Sequence, residues 1–235
     1  MKRVIALGLL LSLMAPVSAD EKSDAKEALK ELQEFIGSWK GTGGPDKPRP
    51  TPRDPVWNEN IRWAWRFKGD DAWLHMDVKD GKLFKSAELR YLPKKKLYRL
   101  TATDKEGKQL IFEGKIEREI LKLERINPET KGTEQITMNT AAEGDRFIYR
   151  LAHKNEGTTL WRRDYLIAFT REGVSLGKVD KKNECVVSGG LGTIAVSYKG
   201  ETYYVCCSGC ADAFKENPEK YINEFKAKKA GKKEN

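Results

Sequence analysis

The four cysteines of the chain all fall in its last quarter, at Cys185, Cys206, Cys207 and Cys210. Clustering of this kind points to one local site rather than a disulfide framework spread through the fold. Thiolates are soft donors that suit Cu(I), Zn(II) and other thiophilic ions and disfavour magnesium or calcium. A hairpin between Cys185 and Cys206 would return the first thiol to the second, and Cys210, one helical turn further on, would point to the same place. A thiol near a helix N-terminus is expected to have a lowered pKa, which favours the metal-binding thiolate. A structural zinc site takes four ligands. The fourth here would be Cys207, which could also replace Cys206 through its own C-x2-C spacing with Cys210, or else His75, His153 or water. Two other chemistries fit the same residues. In an oxidising compartment four cysteines commonly form two disulfides, with three pairings open. Alternatively, Cys207 and Cys210 would work as a redox dithiol.

The elements that must position these thiols can be read around them. Ile194, Val196 and Tyr198 alternate as a strand, Lys199-Gly200-Glu201 supplies a turn, and Thr202 to Val205 return. Ser208 is placed to cap a helix that starts near Gly209 and continues through Ala211, Phe214 and Lys215. Asn217-Pro218 breaks it, and Pro218 opens a second helix containing Tyr221, Ile222 and Phe225. Within this frame, Tyr198-Lys199-Gly200, Tyr203-Tyr204-Val205-Cys206, Cys210, Phe214, Asn217-Pro218 and Tyr221 resemble a YHS domain, also described as a TRASH-type metal-binding domain, over about residues 185–225. The resemblance implies a small treble-clef-like α+β finger used in metal handling or sensing. It places Cys185, Cys206 and Cys210 at ligand positions, with Cys207 as an extra thiol. Tyr203, Tyr204 and Phe214 are expected to form the apolar shell.

Upstream the periodicity is different. Residues 24–36 read as an amphipathic helix, with Asp24 and Glu27 as a capping box and Gly37 as its stop. A proline-rich segment from Pro45 to Pro55 follows, extended rather than helical. From about 57 to 172 apolar and polar residues alternate, as in Ile61, Trp63, Trp65 and Phe67, or Phe147, Tyr149 and Leu151, with turn residues between the runs. Eight to ten short strands in this pattern predict an antiparallel meander closed into a barrel, which removes its edges. The helix followed by Gly37-Ser38-Trp39-Lys40-Gly41 resembles the start of a lipocalin-like protein. That resemblance covers residues 24–172 and implies a barrel able to enclose a small apolar ligand, unless Trp and Phe side chains fill it. Small haem-binding barrels of the nitrobindin kind begin similarly, which makes His75 and His153 the candidates for a haem ligand.

Before the helix stand Lys2 and Arg3, an apolar run from Val4 to Met14 and the small residues Val17-Ser18-Ala19. The run is too short to cross a bilayer of about 30 Å, and the order is that of a secretory signal peptide. With the signal removed, no integral membrane segment is expected, and the product is periplasmic or secreted. The formal net charge is +9 over 235 residues, but its charges are mixed along the chain. Only the tail, with Lys226, Lys228, Lys229, Lys232 and Lys233, is densely basic, and it reads as a solvated end. Nucleic acid is therefore not an expected partner. No Ser/His/Asp arrangement or close carboxylate pair stands out.

The chain is expected to comprise a signal peptide (1–19), a lipocalin-like up-and-down β-barrel with an N-terminal helix (20–172), a linker (173–182), a YHS-like finger (183–228) and a basic tail (229–235). The expected function is that of an exported, non-enzymatic heavy-metal-binding protein that handles or senses copper or zinc through Cys185, Cys206, Cys207 and Cys210. The alternatives are a barrel carrier of a small apolar ligand or haem with a disulfide-stapled C-terminal module, and a thiol-disulfide redox protein.

Overall fold

The computed structural model describes residues 19–173 and 183–231. The expected signal segment up to residue 18, the junction from 174 to 182 and residues 232–235 lie outside these. Helix α1 (Ala19–Lys30) leads through a 3-10 turn (Gln33–Phe35) into ten strands. These are β1 (Gly37–Pro45), β2 (Trp57–Lys68), β3 (Asp71–Lys79), β4 (Phe84–Leu92), β5 (Leu97–Asp104), β6 (Gln109–Glu117), β7 (Ile120–Ile126), β8 (Thr133–Ala141), β9 (Arg146–Lys154) and β10 (Arg162–Arg171). Each pairs antiparallel with its sequence neighbour, and β1 also pairs with β10, so the sheet closes into a barrel. The expected meander is present in full.

Alternation along the strands explains the closure. In β2, Ile61, Trp63 and Trp65 are buried while Arg62 is exposed, which is the two-residue period of a sheet with one face in a core. The interior is occupied by Trp39, Trp63, Trp65, Phe112, Phe147, Tyr149 and Phe169, all fully buried. Gly41, from the Gly-x-Trp-x-Gly stretch, has a packing reason: a Cβ there would lie 2.2 Å from the ring of Phe169.

One end of the barrel is plugged by Leu29, Leu32, Phe35 and Ile36. The Phe35 ring meets Trp63 and Phe147 at centroid distances of 6.1 and 4.9 Å. The Phe35 carbonyl accepts the Trp39 indole N–H at 2.8 Å, and the Ala28 carbonyl accepts the Tyr98 hydroxyl at 2.9 Å. These bonds correct the expected helix at 24–36. It begins before Asp24 and ends at Lys30, because the chain must tighten into the 3-10 turn to aim Phe35 into the barrel.

Past the barrel come β11 (Asn183–Glu184), β12 (Leu191–Gly192), β13 (Ile194–Tyr198), β14 (Glu201–Val205), α2 (Ser208–Glu216) and α3 (Pro218–Gly231). The β13–β14 hairpin turns through Lys199 and Gly200, both at positive φ, as a tight two-residue hairpin requires. Pro218 opens α3, as its fixed φ and missing N–H favour. The result is the expected architecture, a mostly β barrel followed by a small α+β module. The module packs on the barrel, with α2 lying on β2.

Candidate metal centre

The thiols are assembled by two backbone devices. Cys185 follows β11 and starts a tight turn in which its N–H donates to the Gly190 carbonyl at 2.7 Å and its carbonyl accepts from Gly189 N–H at 2.8 Å. The Ser188 N–H points back at the Cys185 Sγ at 3.5 Å. The Val186 N–H then donates to the Tyr204 carbonyl at 2.8 Å, which lashes the turn to β14 just before Cys206. Cys210 sits in the first turn of α2, on the side facing that junction.

The outcome is a set of three sulfurs, those of Cys185, Cys206 and Cys210, all within 4.8 Å of one another. The residues are 0%, 5% and 0% exposed. The Cys206 and Cys210 sulfurs are 3.5 Å apart, the Cys207 Sγ is 3.9 Å from that of Cys206, and all four cysteines are unbonded to one another. Cys207 stands outside the mutual set. It is the residue before α2, and its sulfur accepts the backbone N–H of Trp65 at 3.3 Å. The expected Ser208 cap is therefore displaced by one residue: Ser208 is already helical and Cys207 holds the cap position.

The protons within the cluster are shared unequally. The Cys185 thiol is pushed well below the ordinary thiol range, first by hydrogen bonding from Cys206 and then from Cys210. Cys207 is lowered by bonds from the same two donors. Cys206 is raised, first by its bond to Cys185. Cys210 is raised by bonds to Cys185, Cys206 and Cys207 and by burial. This differs from the expected lowering of Cys210 near a helix N-terminus: its hydrogen bonds to neighbouring sulfurs and its burial favour the protonated thiol. From the barrel side, Lys26 of α1 reaches the finger, its ammonium 5.2 Å over the Tyr221 ring. Sequence reading missed it, because a lysine on a helix ordinarily reads as a solvated charge.

Neither histidine joins the sulfurs. The His75 ring meets Asp77 at 3.2 Å, and the His153 Nδ1 meets Asp164 at 2.8 Å. Among the described residues the metal-capable group contains cysteines alone. Phe214 is buried beside Tyr203, with ring centroids 5.6 Å apart. The Tyr203 hydroxyl turns outward to Glu201, and Tyr204 serves the centre through its carbonyl. Val186, Val187 and Val205 supply buried apolar surface in the same module.

Residues 193–224 match the family model of the YHS domain. The match spans Cys206, Cys207 and Cys210 and begins after Cys185. The domain suggests metal binding, and three converging thiols are a donor set consistent with it. No curated protein matches the chain. Among solved structures, the chain is similar to an S-type phycobiliprotein lyase from Guillardia theta, with a TM-score of 0.42 and 12% identity over 66% of this chain and 98% of that one. The expectation of a non-enzymatic protein is corrected at this point. A fold does not decide whether its sites are catalytic, and non-enzyme status is not established. No helix among the described residues is long and apolar enough to cross a membrane.

Proposed function

We propose that the chain binds one thiophilic metal ion, copper(I) or zinc, through Cys185, Cys206 and Cys210, and handles or senses that ion after export. The observation that carries the reading is the convergence of three buried sulfurs within 4.8 Å. Buried thiols gain little by crowding together, whereas thiolates around a cation are mutually satisfied. Three sulfurs suit Cu(I) as they stand, while zinc, which takes four ligands, would draw on Cys207 or water as well. The bound ion would supply a positive centre that neutralises part of the thiolate charge. Export rests on Lys2, Arg3, the apolar run to Met14 and the small residues at 17–19.

The test is an anaerobic titration of the reduced full chain with Cu(I) and, separately, with Zn(II), with stoichiometry read by elemental analysis. One equivalent of one ion is expected, abolished by the double substitution Cys185→Ala and Cys210→Ala. Retention of the ion by that variant would end the proposal. Export is tested by N-terminal sequencing of the protein recovered outside the cytoplasm, where a mature end near residue 20 is expected.

A further inference from the structure

The finger meets the barrel at one backbone unit. β1 pairs with β2 only as far as Gly37 opposite Trp63, whereas β2 remains paired with β3 as far as Lys68 opposite Asp71. Beyond Trp63, β2 therefore presents an edge with no β1 partner. A buried N–H on such an edge needs an acceptor, and the Cys207 sulfur supplies it to Trp65. Two residues on, the approach is tighter still. A Cβ built on Gly209 would lie 1.8 Å from the Trp65 carbonyl oxygen and 2.8 Å from its carbon. Only glycine lets α2 begin there. Beside this seam lie the three sulfurs, buried, with that of Cys206 3.9 Å from the Cys207 sulfur.

We propose that Cys207 is a positioning residue rather than a metal ligand. It latches the start of α2 to the free edge of β2 at Trp65, and this latch keeps the sulfurs of Cys185, Cys206 and Cys210 closed against the barrel. The consequence for metal exchange rests on the metal-binding reading, but the closure itself does not. Reagents reach the three thiols only when the finger lifts from Trp65, so the seam sets how fast they exchange partners. Chain order also fits this division of labour: Cys206 ends the hairpin, Cys210 lies one turn into α2, and Cys207 fixes the point where strand gives way to helix.

The experiment labels the reduced, metal-free full chain with iodoacetamide under anaerobic conditions and maps the rate at each cysteine by mass spectrometry. Wild type is compared with Cys207→Ala, which removes the acceptor without adding bulk, and with Gly209→Ala, which forces the seam apart. Labelling of Cys185, Cys206 and Cys210 should be about tenfold faster in Cys207→Ala, the scale of one lost hydrogen bond, and faster again in Gly209→Ala. Amide exchange of the β13–β14 hairpin should stay at its wild-type rate in Cys207→Ala. Unchanged labelling in Cys207→Ala would overturn the latch whatever Gly209→Ala does, as would loss of hairpin protection in Cys207→Ala, which would make the sulfur a general support of the fold.

A second arm loads the chain with Cu(I) and withdraws it with bathocuproine disulfonate. Cys207→Ala should still bind one equivalent and release it about tenfold faster. A fall in stoichiometry would identify Cys207 as a ligand and overturn the proposal. If the wild type takes up no copper, the metal reading fails for that ion while the labelling rates still decide the latch.

Discussion

The guanidinium of Arg171 lies 4.1 Å over the indole ring of Trp39 and is buried there at the end of the last barrel strand. Its three nitrogens donate to three carbonyls of two segments, Glu34 and Ile36 of the plug at 2.7 Å each and Gly144 of the β8–β9 turn at 2.9 Å. It joins the plug, the β8–β9 turn and the closing strand through one side chain. Burial favours its neutral form, but Asp145 and Glu34 oppose that shift, and a guanidinium stays charged in proteins.

Arg171→Met should therefore destabilise the barrel by about 3 kcal/mol. Methionine keeps much of the apolar contact with Trp39 but leaves three carbonyls without their donor, at ~1–3 kcal/mol for each group that water cannot reach. Equilibrium urea unfolding measures this as a lower midpoint at unchanged slope. A shift below about 0.5 kcal/mol would mean that water replaces the arginine at all three carbonyls.

Inside the barrel, the Tyr149 hydroxyl donates to Glu59 at 2.5 Å and the Trp57 indole N–H donates to the other carboxylate oxygen at 2.6 Å. Burial first, and then Glu59, raise Tyr149 well above its ordinary pKa of 10.0. A group raised on folding contributes stability that is fully present below its unfolded pKa and is lost as pH climbs towards the folded value. Thermal stability of the wild type should thus fall above about pH 10, and Tyr149→Phe should flatten that fall. The same variant should lose about 1.5–3 kcal/mol at neutral pH, the scale of a hydrogen bond to a charged group. An unchanged alkaline slope in Tyr149→Phe would show that other tyrosines carry it.

Much of this arrangement was legible in the sequence, and the gaps have physical causes. Strand alternation reports which residues face a core, so a closed meander of eight to ten strands could be anticipated from runs such as Ile61-Arg62-Trp63, whereas β1 (Gly37–Pro45) precedes the alternating region. Lys199-Gly200 and Asn217-Pro218 announce backbone conformations directly, so the hairpin and the break between α2 and α3 fall where expected. The turn that carries Cys185 gave no such signal. Its strands β11 and β12 are two residues each, held by backbone bonds that any residue can make. The Trp65–Cys207 bond spans 142 positions, and nothing local marks a strand that outruns its partner. Likewise the pKa order of the thiols depends on which sulfurs touch, a tertiary property.

Gly41→Ala tests the packing reason found for the Gly-x-Trp-x-Gly stretch. A methyl group 2.2 Å from the Phe169 ring cannot be absorbed by rotating that ring, since Phe147 and Tyr149 lie against it at centroid distances of 5.7 Å each. Overpacking of this kind costs about 1–3 kcal/mol. The double variant Gly41→Ala with Phe169→Leu should recover part of the loss. Differential scanning calorimetry of the two variants decides it, and equal losses would mean that the strain lies in the backbone of β1 instead.

Metal uptake should depend steeply on pH, with a sign fixed by the cluster. Cys206 and Cys210 are raised and keep their protons through neutral pH, while Cys185 is lowered and stands as a thiolate. An ion that takes all three sulfurs must displace the protons of Cys206 and Cys210, and metal binding to protonated ligands releases them. Displacing two protons makes the apparent affinity rise about 100-fold per pH unit across the neutral range. Competition titrations with Zn(II) against a chelator of known proton linkage, at pH 6.5, 7.0 and 7.5, give that slope directly. A slope near tenfold would mean that one of the two raised thiols stays outside the coordination set. Cys206→Ser and Cys210→Ser, each tested singly, would then identify it as the variant whose affinity is unchanged.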